Sequence, residues 1–401
     1  MAGEMNVIRS SDVYRNMKDP AVLKYYYRFK TLEKLNGTDV YGSSPPDIFV
    51  GRFGYPNVYI GPLVPPELGD TSIMGSPEMW IGKSIEEIVK YRSNLIRGMY
   101  RTKVAKAGNG RIEERVAELA MADKYSSVEE VLKHRPVLSM HFDEGSQPYG
   151  PSAKMVNMKI DNSKANVKIE NAYFDTDLNA TNAITELYDK GIPVSKIQKS
   201  LSAGILGIGG NRKFVPTRWS ITAVDDALGK YKLRTVKECE PLDEILVYED
   251  VALDNRWLVI MLPGAWEYEL VEAWYPNTTW NMNSPNIEIF SSYEPFKGRT
   301  KYAEIGGCYY AARFASSELL EKMQKQARVV ILREAHPGYI MPVGVWNVRE
   351  HVREALRHEP RHLGSFDEML ALIGSSMDIP IHTWIKNSTL LGLAMKQRRL
   401  A

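Results

Sequence analysis

The chain has 401 residues, of which 44% are hydrophobic and 25% charged, and its net charge is +2. That length exceeds one simple core and points to two packed domains or one large α+β body. The near-neutral charge excludes a globally basic nucleic-acid binder, so cations that meet nucleic acid have to be gathered on one face. Two distant cysteines, Cys239 and Cys308, form no Cys-x-x-Cys pair. They exclude a cysteine-built zinc site and a disulfide framework and fit a reducing compartment. No signal peptide and no apolar run of membrane-spanning length is seen, which predicts a soluble, cytoplasmic protein with no membrane segment.

In chain order, residues 1–47 are polar and rich in Tyr and Lys, with a short helix over YYYRFKTLEKL before a turn at Gly42–Pro46. DIFVGRFGYPNVYI (47–60) alternates and reads as two strands broken at Gly54–Pro56. Gly61-Pro62-Leu63-Val64-Pro65-Pro66 reads as a rigid loop that cannot extend the sheet. Ser84 and Glu87 form a capping box for a helix running to about Gly98, with Ile85, Ile88, Val89, Leu95 and Ile96 as its buried stripe. Two further helices are expected near 112–124 and 127–134, the second capped by Ser127 and Glu130. Residues 137–156 turn irregular, and KIDNSKANVKIENAYF looks extended. Helices follow at Asn179–Lys190 and 194–203.

The stretch from Lys199 to Asp226 breaks at Gly204, Gly207, Gly209 and Gly210, carries Asn211, Arg212 and Lys213, and re-enters a helix near Ser220 after Thr217, Arg218 and Trp219. Glycines allow close backbone approach, and exposed N–H groups beside fixed cations suit phosphate. No Ser or Thr follows Lys213, so this is not a P-loop, nor is it a dinucleotide fingerprint. A tight turn against a packed helix is the structural alternative. Arg218 and Trp219 could stack on a base and pair with phosphate, or Arg218 could sit in an internal ion pair.

Strands are expected at Glu244–Tyr248, Arg256–Leu262 and Trp266–Trp274, where Glu267, Glu269 and Glu272 would line an acidic edge. A helix near 308–328, a buried strand RVVILRE, a loop and strand over HPGYIMPVGVW and a helix at 347–357 come next. Arg349 and Arg353 share one face of that helix, either solvated or contacting phosphate. Ser365 and Glu368 cap another helix, and the last residues are apolar, then basic.

Two further groups carry candidate chemistry. His141 and Asp143, beside Phe142 and Glu144, could act in acid–base catalysis or simply cap a turn. Asp175 and Asp177 could bind a divalent ion or cap the helix that follows. The histidines show no metal spacing, so no tightly bound transition metal is expected.

Several ordered segments resemble the archaeal Nre family of DNA repair proteins. They are FVGRFGYPNVYIGPLVPP (49–66), WIGKSIEEIVKYRSNLIRG (80–98), FDTDLNA (174–180), LSAGILGIGGNRKFVPTRWSITAVDD (201–226), PGAWEYELVEAW (263–274), GGCYYAARFASSELL (306–320) and REAHPGYIMPVGVWNVRE (333–350). The resemblance implies two homology regions, placed here at 1–235 and 236–401. It also implies a role in repairing DNA damage, and a C-terminal motif for the sliding clamp PCNA that Gln397 and Leu400 match in place. The N-terminal cysteine cluster of many members is absent, so no zinc is carried over. The family's recurring polar residues fall at Arg52, Asp175, Asp177, Arg212, Arg218, Glu267 and Glu269.

The combined expectation is an α+β protein of mixed and antiparallel sheets with packed helices, in two intimately associated halves with the glycine-rich stretch at their seam. Its function would be DNA repair on damaged or end-bearing DNA, with Arg212, Lys213 and Arg218 on phosphate and Trp219 on a base. The alternative is an NAD- or ATP-using enzyme that processes DNA ends. There Gly207, Gly209, Gly210 and Asn211 would cradle the phosphates, and His141, Asp143 or a glutamate of 267–272 would move protons. A clamp-associated scaffold is the third reading.

Overall fold

In the computed structural model the described residues are 30–33, 35, 37–137, 150–278, 280–281, 284–339 and 343–398. They form an α+β fold of two compact units. The first takes in the described residues up to Asn179, with Lys199–Thr217 and Val343; the second takes in Ala180–Gln198, Arg218–Tyr339 and the residues from Gly344 onward.

The first unit is built on a six-stranded sheet of β1 (Asp39–Ser44), β2 (Ile48–Val50), β3 (Asn57–Val64), β4 (Ile96–Lys103), β5 (Ser126–Leu132) and β6 (Ser152–Asp161), in the order β1-β5-β6-β4-β3-β2. Only β4 and β6 run parallel; the other neighbours are antiparallel. Helices α1 (Ile85–Asn94), α2 (Arg111–Met121) and α3 (Val167–Phe174) accompany it. The capping box of α1 is present, but the helix stops four residues short of the expected Gly98. Leu95 turns extended, and Ile96 opens β4 instead.

Three other expectations fail. Residues 126–132 are a strand, not a capped helix, because Ser126, Val128, Glu130 and Leu132 alternate as its buried face. Pro62 lies inside β3 and opposite Ile48, where a rigid loop was expected. The β3–β4 ladder resumes in register after it, skipping Gly61 and Pro62, so the missing proline N–H costs no ladder bond. The expected extended run at 159–174 is strand only to Asp161; Asn166 then caps α3 by accepting the Lys168 and Ile169 N–H groups.

Glu130 is fully buried on that alternating face, and neither carboxylate oxygen accepts a well-formed hydrogen bond among the described residues. It lies directly over Gly98, where a Cβ would meet its Oε1 at 2.6 Å.

The second unit has α4 (Ala180–Asp189), the start of α5 (Val194–Ser202) and α6 (Thr217–Val236), followed by a second six-stranded sheet. Its strands are β7 (Ile245–Ala252), β8 (Asn255–Leu262), β9 (Glu267–Trp274), β10 (Glu288–Glu294), β11 (Arg328–Ala335) and β12 (Arg361–Leu363), in the order β10-β9-β11-β8-β7-β12. The parallel pair is β9 and β11. Strand alternation sends Trp257, Val259 and Met261 into a core with α6, α7 (Gly307–Met323) and α8 (Trp346–Ala355). Leu258, Ile260 and Leu262 face the opposite core, with α9 (Phe366–Ser376), α10 (Ile381–Asn387) and α11 (Thr389–Arg398). Ser365 caps α9 as expected, accepting the Glu368 N–H.

The α8 face carrying Arg349 is neither solvated nor open to phosphate. Arg349 is buried against Asp225 at 2.8 Å and Glu350 at 2.9 Å, and Arg353 reaches Glu318 at 2.7 Å.

Burial holds the Glu130 carboxyl well above the usual carboxylate range, with the Gly98 backbone offsetting part of that cost. The folded protein therefore keeps a proton that the unfolded chain releases above about pH 4. Stability from this position is complete below that pH and declines as pH rises towards the raised folded value. Glu130→Gln removes this slope: its melting temperature relative to the wild type climbs between pH 4 and pH 8. A pH-independent difference in melting would show that the carboxyl ionises normally.

Candidate nucleic-acid interface

Four segments of the first unit are stitched together by hydrogen bonds from backbone N–H groups. The Val50 N–H donates to Thr217 Oγ1 at 2.8 Å. Val104 donates to Pro56 O, Phe214 to Val104 O, and Gly209 to Thr176 O, each at 2.8–2.9 Å. The β2–β3 turn, the segment after β4, the end of α3 and the glycine-rich stretch thus form one continuous surface. Gly204 makes the approach possible: its φ is +71°, and a Cβ there would lie 2.5 Å from Ala107 Cβ and 2.9 Å from Lys213 O.

Arg212 fixes the same junction. Its Nε donates to Gly207 O at 2.7 Å and its Nη2 to Asp175 O at 3.2 Å, while the guanidinium sits 4.8 Å from the Tyr173 ring centre. Among the described residues no carboxylate forms a salt bridge with it. Burial lowers its pKa, countered by Tyr173 and Asp175. Lys213 beside it is exposed, as are Arg101, Lys103 and Lys106 on β4 and just after it. Large rings stand exposed among these cations: Phe53 and Phe174 are each 72% accessible and Tyr55 50%. Arg52 lies 5.0 Å from the Phe53 ring centre.

The glycine run itself is less open than expected. The Gly209 and Asn211 N–H groups donate to Thr176 O and Ile208 O, so they are already engaged. Gly207 has φ +107° and offers its carbonyl to Arg212, and Gly210 faces open space. Asp175 and Asp177 are exposed; Asp175 Oδ1 accepts the N–H groups of Asp177 and Leu178, a turn cap of the kind weighed against metal binding. Arg218 and Trp219 belong to the second unit, exposed in the first turn of α6. His141 and Asp143 lie outside the described residues, as do Leu400 and the side chain of Gln397.

The acidic edge at 267–272 does not exist. β9 is an inner strand between β10 and β11, and each glutamate has an internal partner. Glu267 accepts a hydrogen bond from the Tyr293 hydroxyl and pairs with Arg328 at 3.0 Å. Glu269, fully buried, accepts from Ser388 Oγ at 2.7 Å, Thr389 N at 2.8 Å and Leu390 N at 2.9 Å, which caps α11. Glu272 faces the other way and pairs with Arg333 at 2.8 Å.

Arg101, Lys103, Phe53 and Tyr55 were missed by sequence reasoning. The signal for the first two is a pair of cations at i and i+2, one face of a strand; reading 84–98 as helix hid where that strand begins. For the rings it is two aromatics in a turn, where no core can take them.

Residues 17–281 match the family model for the N-terminal region of archaeal Nre, and residues 294–401 match the model for its C-terminal region. The chain belongs to the archaeal Nre family. Among Nre relatives, the DNA repair protein NreB of Archaeoglobus fulgidus is 40% identical over 354 residues, covering 88% of this chain and 89% of that protein. The DNA repair protein NreA of the same organism is 36% identical, covering 89% and 90%. NreA of Haloferax volcanii is 34% identical, covering 89% and 88%. No solved structure matches the chain. No described helix is long and apolar enough to cross a membrane.

If Glu269 holds α11 and takes no part in chemistry, Glu269→Ala leaves the Ser388, Thr389 and Leu390 donors without this partner, at about 1–3 kcal/mol for each of the buried ones, Ser388 and Leu390. The thermal midpoint drops and amide exchange at Thr389 and Leu390 speeds up. Unchanged exchange at those two amides would return Glu269 to the candidate catalytic set.

Proposed function

We propose that this Nre protein works in DNA repair in the cytoplasm, holding damaged or end-bearing DNA on the stitched surface of its first unit. One observation carries the reading: Lys213, Arg101 and Lys103, which form no salt bridge among the described residues, stand with exposed rings on segments joined by hydrogen bonds. Lys213, Arg101 and Lys103 supply phosphate contacts, and Phe53, Tyr55 and Phe174 supply faces for unpaired bases. Arg212 serves the surface by fixing its geometry and adding positive charge. Relatives bearing the name DNA repair protein over nearly the whole chain support the repair role.

The nucleotide-using alternative, an NAD- or ATP-dependent enzyme acting on DNA ends, is less well supported, because two of the N–H groups it needs are engaged within the protein. Recruitment by the sliding clamp through Gln397 and Leu400 is a separate part of the proposal. Retention on immobilised clamp, lost when residues 396–401 are removed, supports it; equal retention of the shortened chain refutes it.

Fluorescence anisotropy with labelled single-stranded and duplex-end DNA, from 50 to 200 mM salt, tests the surface. Arg101→Ala with Lys213→Ala weakens binding about equally for all sequences and reduces the salt slope by about 2. Phe53→Ala weakens single-strand binding by about 1–3 kcal/mol with the slope unchanged. Wild-type affinity and slope in all three substitutions, in folded protein, would place DNA elsewhere.

A further inference from the structure

At the carboxyl end of β11, in the second unit, three potential metal ligands converge from two separated segments. Glu334 and His336 are two residues apart along extended chain and so face the same side. Asp378 comes from the connection between α9 and α10. His336 Nε2 lies 3.2 Å from Glu334 Oε2 and 3.9 Å from Asp378 Oδ2. One ligand atom from each residue falls within 4.8 Å of the other two. A cation bound at about 2.0–2.2 Å to nitrogen and oxygen ligands sets those ligands about 3–4 Å apart. Two edges of the triangle therefore already have the length of a coordination face, and the third stays within 4.8 Å.

Each of these side chains is also held from behind. The Ile379 N–H donates to Glu334 Oε1 at 2.8 Å and the Asp378 N–H to Glu334 Oε2 at 3.1 Å. Arg256 engages Asp378 Oδ1 at 2.8 Å, leaving Oδ2 on the side of His336. The His336 ring is stacked on Tyr275 with 4.3 Å between ring centres, and its backbone N–H donates to Asp254 O at 3.0 Å. Outer partners that orient every ligand are characteristic of protein metal sites. Two carboxylates against one guanidinium leave a net negative charge for a cation. Asp378 is half-exposed, which gives an entry path, while Glu334 is buried.

We propose that Glu334, His336 and Asp378 bind a divalent cation of the zinc or manganese type through Oε2, Nε2 and Oδ2. The imidazole suits zinc, and the two carboxylates suit zinc or the harder manganese. Three protein ligands leave at least one position for water. The ion would fasten the α9–α10 connection to the end of β11. This site is independent of the DNA surface, since all its residues lie in the second unit.

The test is titration calorimetry of the untagged full chain, stripped with chelator, against zinc and then manganese, alone and without DNA. One ion per chain is expected. Asp378→Asn and His336→Ala each weaken binding at least tenfold, while metal-free melting of Asp378→Asn stays near the wild type. Cobalt bound to the wild type gives a visible absorption band that both variants lose. No stoichiometric uptake of either ion, or uptake unchanged in both variants, overturns the proposal.

Discussion

A charge removed from water must meet an opposite charge, and the second unit is arranged around that requirement. Its sheet and helices are tied by arginines that are almost wholly enclosed. Arg333 pairs with Glu272 inside the sheet, Arg313 on α7 with Glu294 on β10, and Arg349 on α8 with Asp225 on α6. Trp257 and Trp274 add ring faces around Arg333, with centres 4.6 and 4.8 Å from the guanidinium carbon. Such pairs add little net stability over well-packed apolar residues, but removing one partner is costly because it strands the other. They therefore act mainly as constraints on which elements can meet.

The first unit also encloses one such pair, Arg92 with Asp47 at 2.6 Å, but uses Arg212 differently. Arg212 is held by two carbonyls and a tyrosine face, and among the described residues no carboxylate forms a salt bridge with it. A cation neutralised by carbonyl dipoles keeps most of its field, whereas one paired with a carboxylate shows little field to a distant anion. Arginine thus serves two ends in this protein, internal cohesion at the enclosed pairs and an outward potential at Arg212.

Much of this fold could be read from the chain. The strands β8 and β9, the cap of α9 and the helices at 180–189 and 194–202 follow from alternation, turn residues and helical periodicity. The failures are equally physical. Ser-x-x-Glu at 127–130 satisfies a capping rule, yet the same residues satisfy a strand alternation, and neighbouring strands decide between them. Arg349 and Glu267 look like surface charges because a sequence does not reveal that a partner waits across the core. The grouping of Arg212 with Phe53 and Lys103 depends on contacts between segments that are distant along the chain, which local pattern does not encode. His336 shows no ligand spacing along the chain, because the third member of its group lies more than forty positions further on.

The close approach of Gly98 to Glu130 has an evolutionary consequence. With Oε1 only 2.6 Å from where a Cβ would stand, the two positions share a single volume. Any lineage that gains a methyl group at 98 has to move, shorten or lose the acid at 130. The pair should accordingly change together across homologues, as a linked character and not as two independent ones.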